Sequence, residues 1–137
     1  ITWIDDSKAT NPASAMADLA TIEGPLIVIA GGKEKHTGFD RFGAMLANRA
    51  RRVILMGECA PAIEEAVATP GLCATVQSMQ QAVEVAIEAA RPGDTVALCP
   101  GCSSLDMTAS YARRGEPFAQ CVRQHFCSDH QEQGGRP

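Results

Sequence analysis

Three short stretches of the chain gather the side chains that could hold an anion. Asp5-Asp6-Ser7-Lys8-Ala9-Thr10-Asn11-Pro12 sets carboxylates, hydroxyls and an ammonium just ahead of a helix start, where free backbone N–H groups favour negative charge. Gly31-Gly32-Lys33-Glu34-Lys35 combines two lysines with two glycines, and glycine lets a backbone approach a ligand closely. Cys99-Pro100-Gly101-Cys102-Ser103-Ser104-Leu105-Asp106 is a second hydroxyl-rich entry into a helix. Lys8, Thr10, Lys35 and Ser104 together could grip a small dicarboxylate or a phosphate, because a lysine is a mobile point charge with three donors and a hydroxyl adds direction. Lys33 reads as a solvated neighbour, and His36 as an exposed loop residue outside the site. Taken one loop at a time, the same residues also read as caps and solvated turns.

What favours a site is the position of these loops relative to the elements around them. Apolar runs suited to strands fall at 2–4, 26–30, 53–56, 74–76 and 95–98, several of them apolar on both faces as in a covered parallel sheet. Between them lie segments of helical period. Asn11 followed by Pro12 predicts an N-cap and a first helical residue, with Met16 and Leu19 turned inward. Phe39, Phe42 and Leu46 share a face of the next helix, and Ile63, Ala66 and Val67 a face of the third. Ser78-Met79-Gln80-Gln81 has the form of a capping box, and Pro92-Gly93-Asp94 that of a turn. Further helices are expected from Leu105 to about Arg113 and after Pro117, the latter carrying Phe118, Val122 and Phe126 on one stripe. This alternation predicts an α/β fold: a doubly wound, mainly parallel, Rossmann-like sheet of five or six strands with helices on both faces. Such sheets bind ligands at the carboxyl ends of their strands, and each of the three chemical loops follows a strand.

The 137 residues fit one domain, expected over 1–130 with a frayed, disordered tail at 131–137. A charge of −4 with scattered basic residues, apart from Arg49, Arg51 and Arg52, speaks against a nucleic-acid surface. No apolar run approaches the roughly 20 residues that span a bilayer, and the start has no basic signal-peptide region, so no membrane and a cytoplasmic location are expected. The chain opens inside a strand without an initiator Met, which suggests a piece of something longer. Six cysteines in a chain able to build a core without staples are expected to be reduced, buried thiols. Two other readings use them. Cys99 and Cys102, between a strand and a helix, could form a thioredoxin-type dithiol, and Cys99, Cys102, Cys121, His125, Cys127 and His130 offer zinc-ligand types, though at no common spacing. There is no G-x-G-x-x-G after a strand and no G-x-x-x-x-G-K-[ST], so nothing here would hold a triphosphate unaided.

In series, the three loops resemble the C-terminal domain of Mur ligases along nearly the whole chain. Asp6-Ser7-Lys8-Ala9-Thr10-Asn11 resembles the family's D-S-K-A-T-N, Gly31 to Lys35 its G-G-x-x-K, and Pro100 to Asp106 its S-P-A-x-A-S-x-D. Tyr111-Ala112-Arg113-Arg114-Gly115-Glu116-Pro117-Phe118 is similar to its aromatic-x-x-R-G-x-x-F run. The absence of D-N-P-x-x-R points away from the meso-diaminopimelate-adding branch, and the S-K-A-T-N wording with G-G-x-x-K points to the branch that adds D-glutamate to UDP-N-acetylmuramoyl-L-alanine in peptidoglycan synthesis. The resemblance implies an ADP-forming amide ligation that uses ATP and Mg2+, both held mainly by a central domain that this chain lacks. It implies Asp6 at the ATP ribose, Lys8 at the phosphates, and Thr10, Lys35, Ser104, Leu105 and Tyr111 around D-glutamate. It further implies a monomer of the bacterial cytoplasm and no catalytic residue in this domain by itself. Gly101 and Ser103 stand where the family often has alanines, and Tyr111 where Phe is common. A stand-alone module binding an amino acid or a nucleotide in the same cleft is the non-enzymatic alternative.

Overall fold

A computed structural model describes residues 1–33, 38–102 and 118–124. Its elements run β1 (Thr2–Asp5), α1 (Pro12–Leu19), β2 (Leu26–Gly31), α2 (Asp40–Arg49), β3 (Ala50–Met56), α3 (Ala60–Val67), β4 (Cys73–Thr75), α4 (Met79–Ala89) and β5 (Thr95–Leu98), with residues 118–124 again helical. The five strands form one wholly parallel sheet in the order β1-β5-β2-β3-β4, the doubly wound α/β architecture expected from the sequence.

Parallel crossovers share one hand, so a chain that reverses direction along the sheet must change faces. The connections from β1 through β4 place α1, α2 and α3 on one face, where Ala15, Leu19, Phe42, Leu46, Ile63 and Val67 pack on Leu26, Val28, Ala30, Val53, Leu55 and Ala97. The return to β5 crosses the other face, where Met79, Ala82, Val83 and Ala86 of α4 meet Ile27, Ile29, Ile54, Met56, Val96 and Leu98, with Phe118 beside them. Alternate residues of one strand thus feed opposite cores, which is why β2, fully buried along its length, has no polar position.

Local signals act as their chemistry dictates. The Asn11 side chain accepts the Ser14 amide at 2.9 Å, with Pro12 opening α1. Ser78 Oγ accepts the Gln81 amide at 3.1 Å, while Gln81 reaches back to the Gln77 amide at 2.8 Å, one residue ahead of the usual capping-box partner. β3 starts three residues earlier than its apolar run, because Ala50 and Arg52 already pair with Leu26 and Ile27 across an irregularity in the ladder. The expected helix from Leu105 to Arg113, Phe126 and the tail at 131–137 lie outside the described residues.

The arginine cluster serves the amino ends of the strands. Arg49 donates to the Ile22 carbonyl at 2.7 Å, Arg52 to that of Gly71 at 2.6 Å, and Arg51 to that of Ala89 at 2.7 Å and to the buried Asp94 at 2.5 Å. Burial pushes the Asp94 carboxyl up, but the Arg51 guanidinium and the Arg91 amide outweigh it and hold it below the usual carboxylate range. A carboxyl depressed by folding stabilises above its unfolded value and loses that contribution as pH falls through the folded one.

One expectation is corrected here. Not all the cysteines are free thiols: Cys59, at the head of α3, is disulfide-bonded to Cys102, just past β5. Composition reports only whether a core is large enough to do without staples; it carries no information on which sulfurs the topology brings together. Cys73, Cys99 and Cys121 are free, with Cys99 buried, and Cys127 lies outside the described residues.

α2 and α3 approach closely at Gly43, where an added Cβ would lie 2.4 Å from the Ala66 carbonyl carbon. Gly43→Ala should therefore destabilise the fold by about 1–3 kcal/mol, the range for overpacked helix contacts, read as a lower urea midpoint. An unchanged midpoint would refute the tight crossing.

Candidate functional site

Placing β5 between β1 and β2 sets the three chemical loops side by side at one edge of the sheet. The Asp6 amide donates to the Leu98 carbonyl at 2.8 Å, the Gly101 amide to that of Ala9 at 2.8 Å, and the Gly31 amide to that of Pro100 at 3.0 Å. The loop after β5 is thereby bonded to the loop after β1 on one side and to the end of β2 on the other. The Cys59 amide adds a bond to the Gly32 carbonyl at 3.0 Å, bringing the head of α3 to the same edge.

The glycines here serve the scaffold. Gly31 has φ +120°, and a Cβ on it would fall 1.9 Å from the Met56 carbonyl oxygen of the neighbouring strand. Gly101 has φ +68°, with the Phe42 ring beneath it, Cε2 standing 2.5 Å from where a Cβ would be. The sequence signals a close backbone approach at Gly31, but the neighbour approached is the next strand. Phe42 was legible as a core residue and not as the support of this loop.

The expected ATP pair, Asp6 and Lys8, lines a single cavity of about 310 Å³ with Asp5, Asp18, Thr21 and Cys99 above an apolar floor of Ile4, Leu19, Ile22 and Ala97. Asp5 holds the turn by accepting the Ser7 amide at 3.0 Å and its hydroxyl. Thr10, half-buried, does not line this cavity; its amide bonds to the Lys8 carbonyl at 2.9 Å. Its neighbour Asn11 lines a separate depression of about 620 Å³ with Pro12, Met16, Gly38, Asp40 and Arg41. The first loop therefore faces one cavity with its Asp6 end and another with its Asn11 end. Lys35, Ser104, Leu105, Tyr111 and His36 lie outside the described residues. Asp18, Thr21 and Arg41 were not read from the sequence: each sits on a helix or turn with no motif around it, and only the fold brings it here.

Asp6 has its carboxyl pushed up to about 6, first by burial and then by a hydrogen bond and charge repulsion from Asp18, against the Cys99 thiol and Lys8, which lower it. Cys99 Sγ lies 3.5 Å from Asp6 Oδ2 and 3.7 Å from the Ala15 carbonyl. Burial and the Asp6 and Asp18 charges push that thiol well above its ordinary value. A dithiol oxidoreductase needs the reverse, an exposed thiol made acidic, and Cys102 is bonded to Cys59 in place of Cys99. The structure thus gives the thioredoxin-type reading no support. The same bond takes Cys102 out of the possible zinc set; among the described residues no group of three or more His, Cys, Asp or Glu is placed to hold a metal, and His125, Cys127 and His130 lie outside them.

The Mur ligase glutamate ligase domain model matches residues 1–102. This chain belongs to the Mur ligase glutamate ligase domain family. It is 43% identical over 125 residues to a UDP-N-acetylmuramoylalanine–D-glutamate ligase of Symbiobacterium thermophilum, a match that covers 89% of this chain and 28% of the relative. Proteins of the same name from Desulfitobacterium hafniense and Streptomyces coelicolor are 39% and 42% identical over 128 and 132 residues, covering 92% and 90% of this chain and 28% of each relative. The chain thus spans little more than a quarter of the length of these curated relatives.

Between about pH 4 and 6 the folded state holds a proton on Asp6 that the unfolded state has lost, so this group makes stability fall as pH rises through that window. Asp18→Asn should bring the Asp6 midpoint down from about 6 toward 3.8, followed by carboxyl carbon NMR. An unmoved midpoint would show that Asp18 is not the partner.

Proposed function

We propose that residues 1–130 are the C-terminal, D-glutamate-handling domain of an ATP-dependent ligase that joins D-glutamate to UDP-N-acetylmuramoyl-L-alanine in bacterial peptidoglycan synthesis, with 131–137 a tail. The observation that carries this reading is the adjacency of the loops after β1, β5 and β2, since these are the loops in which the three motifs resembling this family begin. In this reading ATP phosphorylates the nucleotide substrate's carboxylate, the D-glutamate amine attacks the acyl phosphate, and phosphate leaves with formation of the amide. The domain's task is positioning rather than proton transfer. Thr10, Lys35, Ser104, Leu105 and Tyr111 hold the two carboxylates of D-glutamate so that its amine faces the acyl phosphate.

ATP suits the cavity of Asp6 and Lys8. Near neutral pH a carboxyl with a midpoint of about 6 is mostly ionised and can accept ribose hydroxyls, while exposed Lys8 at its rim offers charge to phosphates. Magnesium finds no ligand set among the described residues. The remaining ATP and nucleotide-sugar contacts belong, in this reading, to domains outside this chain, so the chain alone turns over no ATP. It acts as a monomer in the cytoplasm.

Titration with D-glutamate, and L-glutamate as control, tests this reading by amide NMR. D-glutamate should shift Thr10, Lys35, Ser104 and Tyr111, and Lys35→Ala should weaken it by about tenfold or more, the loss of one charge-assisted bond. Equal response to both enantiomers, or none at millimolar concentration, would count against it.

A further inference from the structure

We propose that Cys99 is a positioning residue for the nucleotide site: its thiol donates its hydrogen to Asp6 Oδ2 and so holds that carboxylate at the cavity wall, where it accepts ribose hydroxyls. This role rests on the nucleotide reading proposed for Asp6 and Lys8.

Three segments supply the geometry. The Cys99 amide donates to the Ile29 carbonyl at 2.9 Å, which holds the residue in line with β5 and against β2. The Asp6 amide donates to the Leu98 carbonyl at 2.8 Å, which sets Asp6 beside it at the end of β1. The Cys99 side chain, with no exposed surface, then reaches two acceptors: Asp6 Oδ2 at 3.5 Å and the Ala15 carbonyl of α1 at 3.7 Å. A thiol has one hydrogen and can satisfy only one of them at a time. An ionised carboxylate is the stronger acceptor, so the hydrogen goes to Asp6 while that group is charged and turns to Ala15 when it is protonated. Burial, with the nearby Asp6 and Asp18 charges, keeps the thiol itself protonated, so it remains a donor wherever Asp6 can accept.

Asp6 shares its cavity with Asp18 of α1, Asp5 at the end of β1, Lys8 of its own loop and Cys99. Asp18 repels the ionised carboxylate and bonds the protonated one, whereas Cys99 and Lys8 favour the ionised form. Of those two, Lys8 is exposed on a flexible stem, while Cys99 is short and buried. The thiol is therefore the fixed partner of Asp6, and it leaves Lys8 at the rim for phosphates.

Three substitutions separate donation from packing. Cys99→Ser keeps a donor, Cys99→Val keeps apolar bulk without a donor, and Cys99→Ala keeps neither. The 137-residue protein and each variant are followed by carboxyl carbon NMR at Asp6 as pH is varied. Binding is followed by amide NMR with adenosine, which carries the ribose without a titrating phosphate, and with 2′-deoxyadenosine, which lacks one ribose hydroxyl. In the unsubstituted protein the Cβ carbon of Cys99 should report the Asp6 midpoint of about 6, because its hydrogen changes partner there; this measurement needs no variant. Cys99→Val and Cys99→Ala should raise the Asp6 midpoint by roughly half to one on the pH scale, the worth of one hydrogen bond. Both should weaken adenosine binding near neutral pH by about threefold or more, and Cys99→Ser should restore both quantities.

A Cys99 Cβ carbon that does not respond at the Asp6 midpoint, or a Val variant that matches the unsubstituted protein while Ser behaves as Ala, overturns the donor role and leaves the nucleotide reading standing. Adenosine binding no tighter than 2′-deoxyadenosine binding in the unsubstituted protein, or no binding of either at millimolar concentration, overturns the nucleotide reading of Asp6 and the role of Cys99 with it.

Discussion

A parallel strand in the interior of a sheet must satisfy both of its edges, and β5 does so against β1 on one side and β2 on the other. That placement requires the chain to run out through β2, β3 and β4 and then to cross back on the opposite face. The return sets α4 apart from α1, α2 and α3 and gives the molecule its two cores. It also brings together loops far apart in sequence. Asp6, Ala9, Gly31, Pro100 and Gly101 are bonded to one another or to strand ends through backbone amides and carbonyls, so the backbone itself holds the loops of this edge together.

Much of this was legible, for identifiable reasons. The central strands announced themselves because strands covered on both faces have no polar positions to break their apolar runs, as in Leu26 to Ala30. The helix starts at Pro12 and Met79 were legible because Asn11 and Ser78 satisfy orphan amides within their own turn. What escaped was decided by contacts between distant segments. The early start of β3 depends on a ladder irregularity opposite Leu26. The Cys59–Cys102 bond depends on two loops meeting across the sheet edge, and Asp18 became part of the Asp6 environment only because α1 and the end of β1 line one cavity. Local chemistry writes itself into neighbouring residues, while sheet order writes itself nowhere in particular. The strand-end position of Asp6, Lys8 and Thr10 followed from the strand pattern alone. The sharing of a cavity by Asp6 and Lys8, and not by Thr10, did not.

The electrostatics follow the same axis. At the amino ends of the strands, Arg49, Arg51 and Arg52 are committed to carbonyls and to Asp94. Three of the 12 basic residues in a chain of charge −4 therefore hold turns together at the end away from the loops. At the carboxyl ends, Asp5, Asp6 and Asp18 crowd one cavity with Lys8. There burial, and after it the hydrogen bond and charge repulsion from Asp18, raise the Asp6 carboxyl to about 6, so the cavity gives up one negative charge as pH falls through that value.

A dicarboxylate arriving at this edge meets the field of a net-acidic domain, which disfavours its approach. The proposed role therefore needs local positive charge set apart from the acidic cavity. Turning along the first loop from Asp6 to Asn11 provides that separation, because Asn11 opens onto a second depression that holds Arg41. Its other walls are Pro12, Ala13, Met16, Gly38 and Asp40, so the guanidinium there faces one carboxylate where Lys8 faces three. Gly38 ends the segment that begins with the glycine loop, and that segment also carries Lys35. The first loop thus opens at one end onto three carboxylates and one ammonium and at the other onto one carboxylate and one guanidinium, so of the two ends the Asn11 end repels a dicarboxylate less.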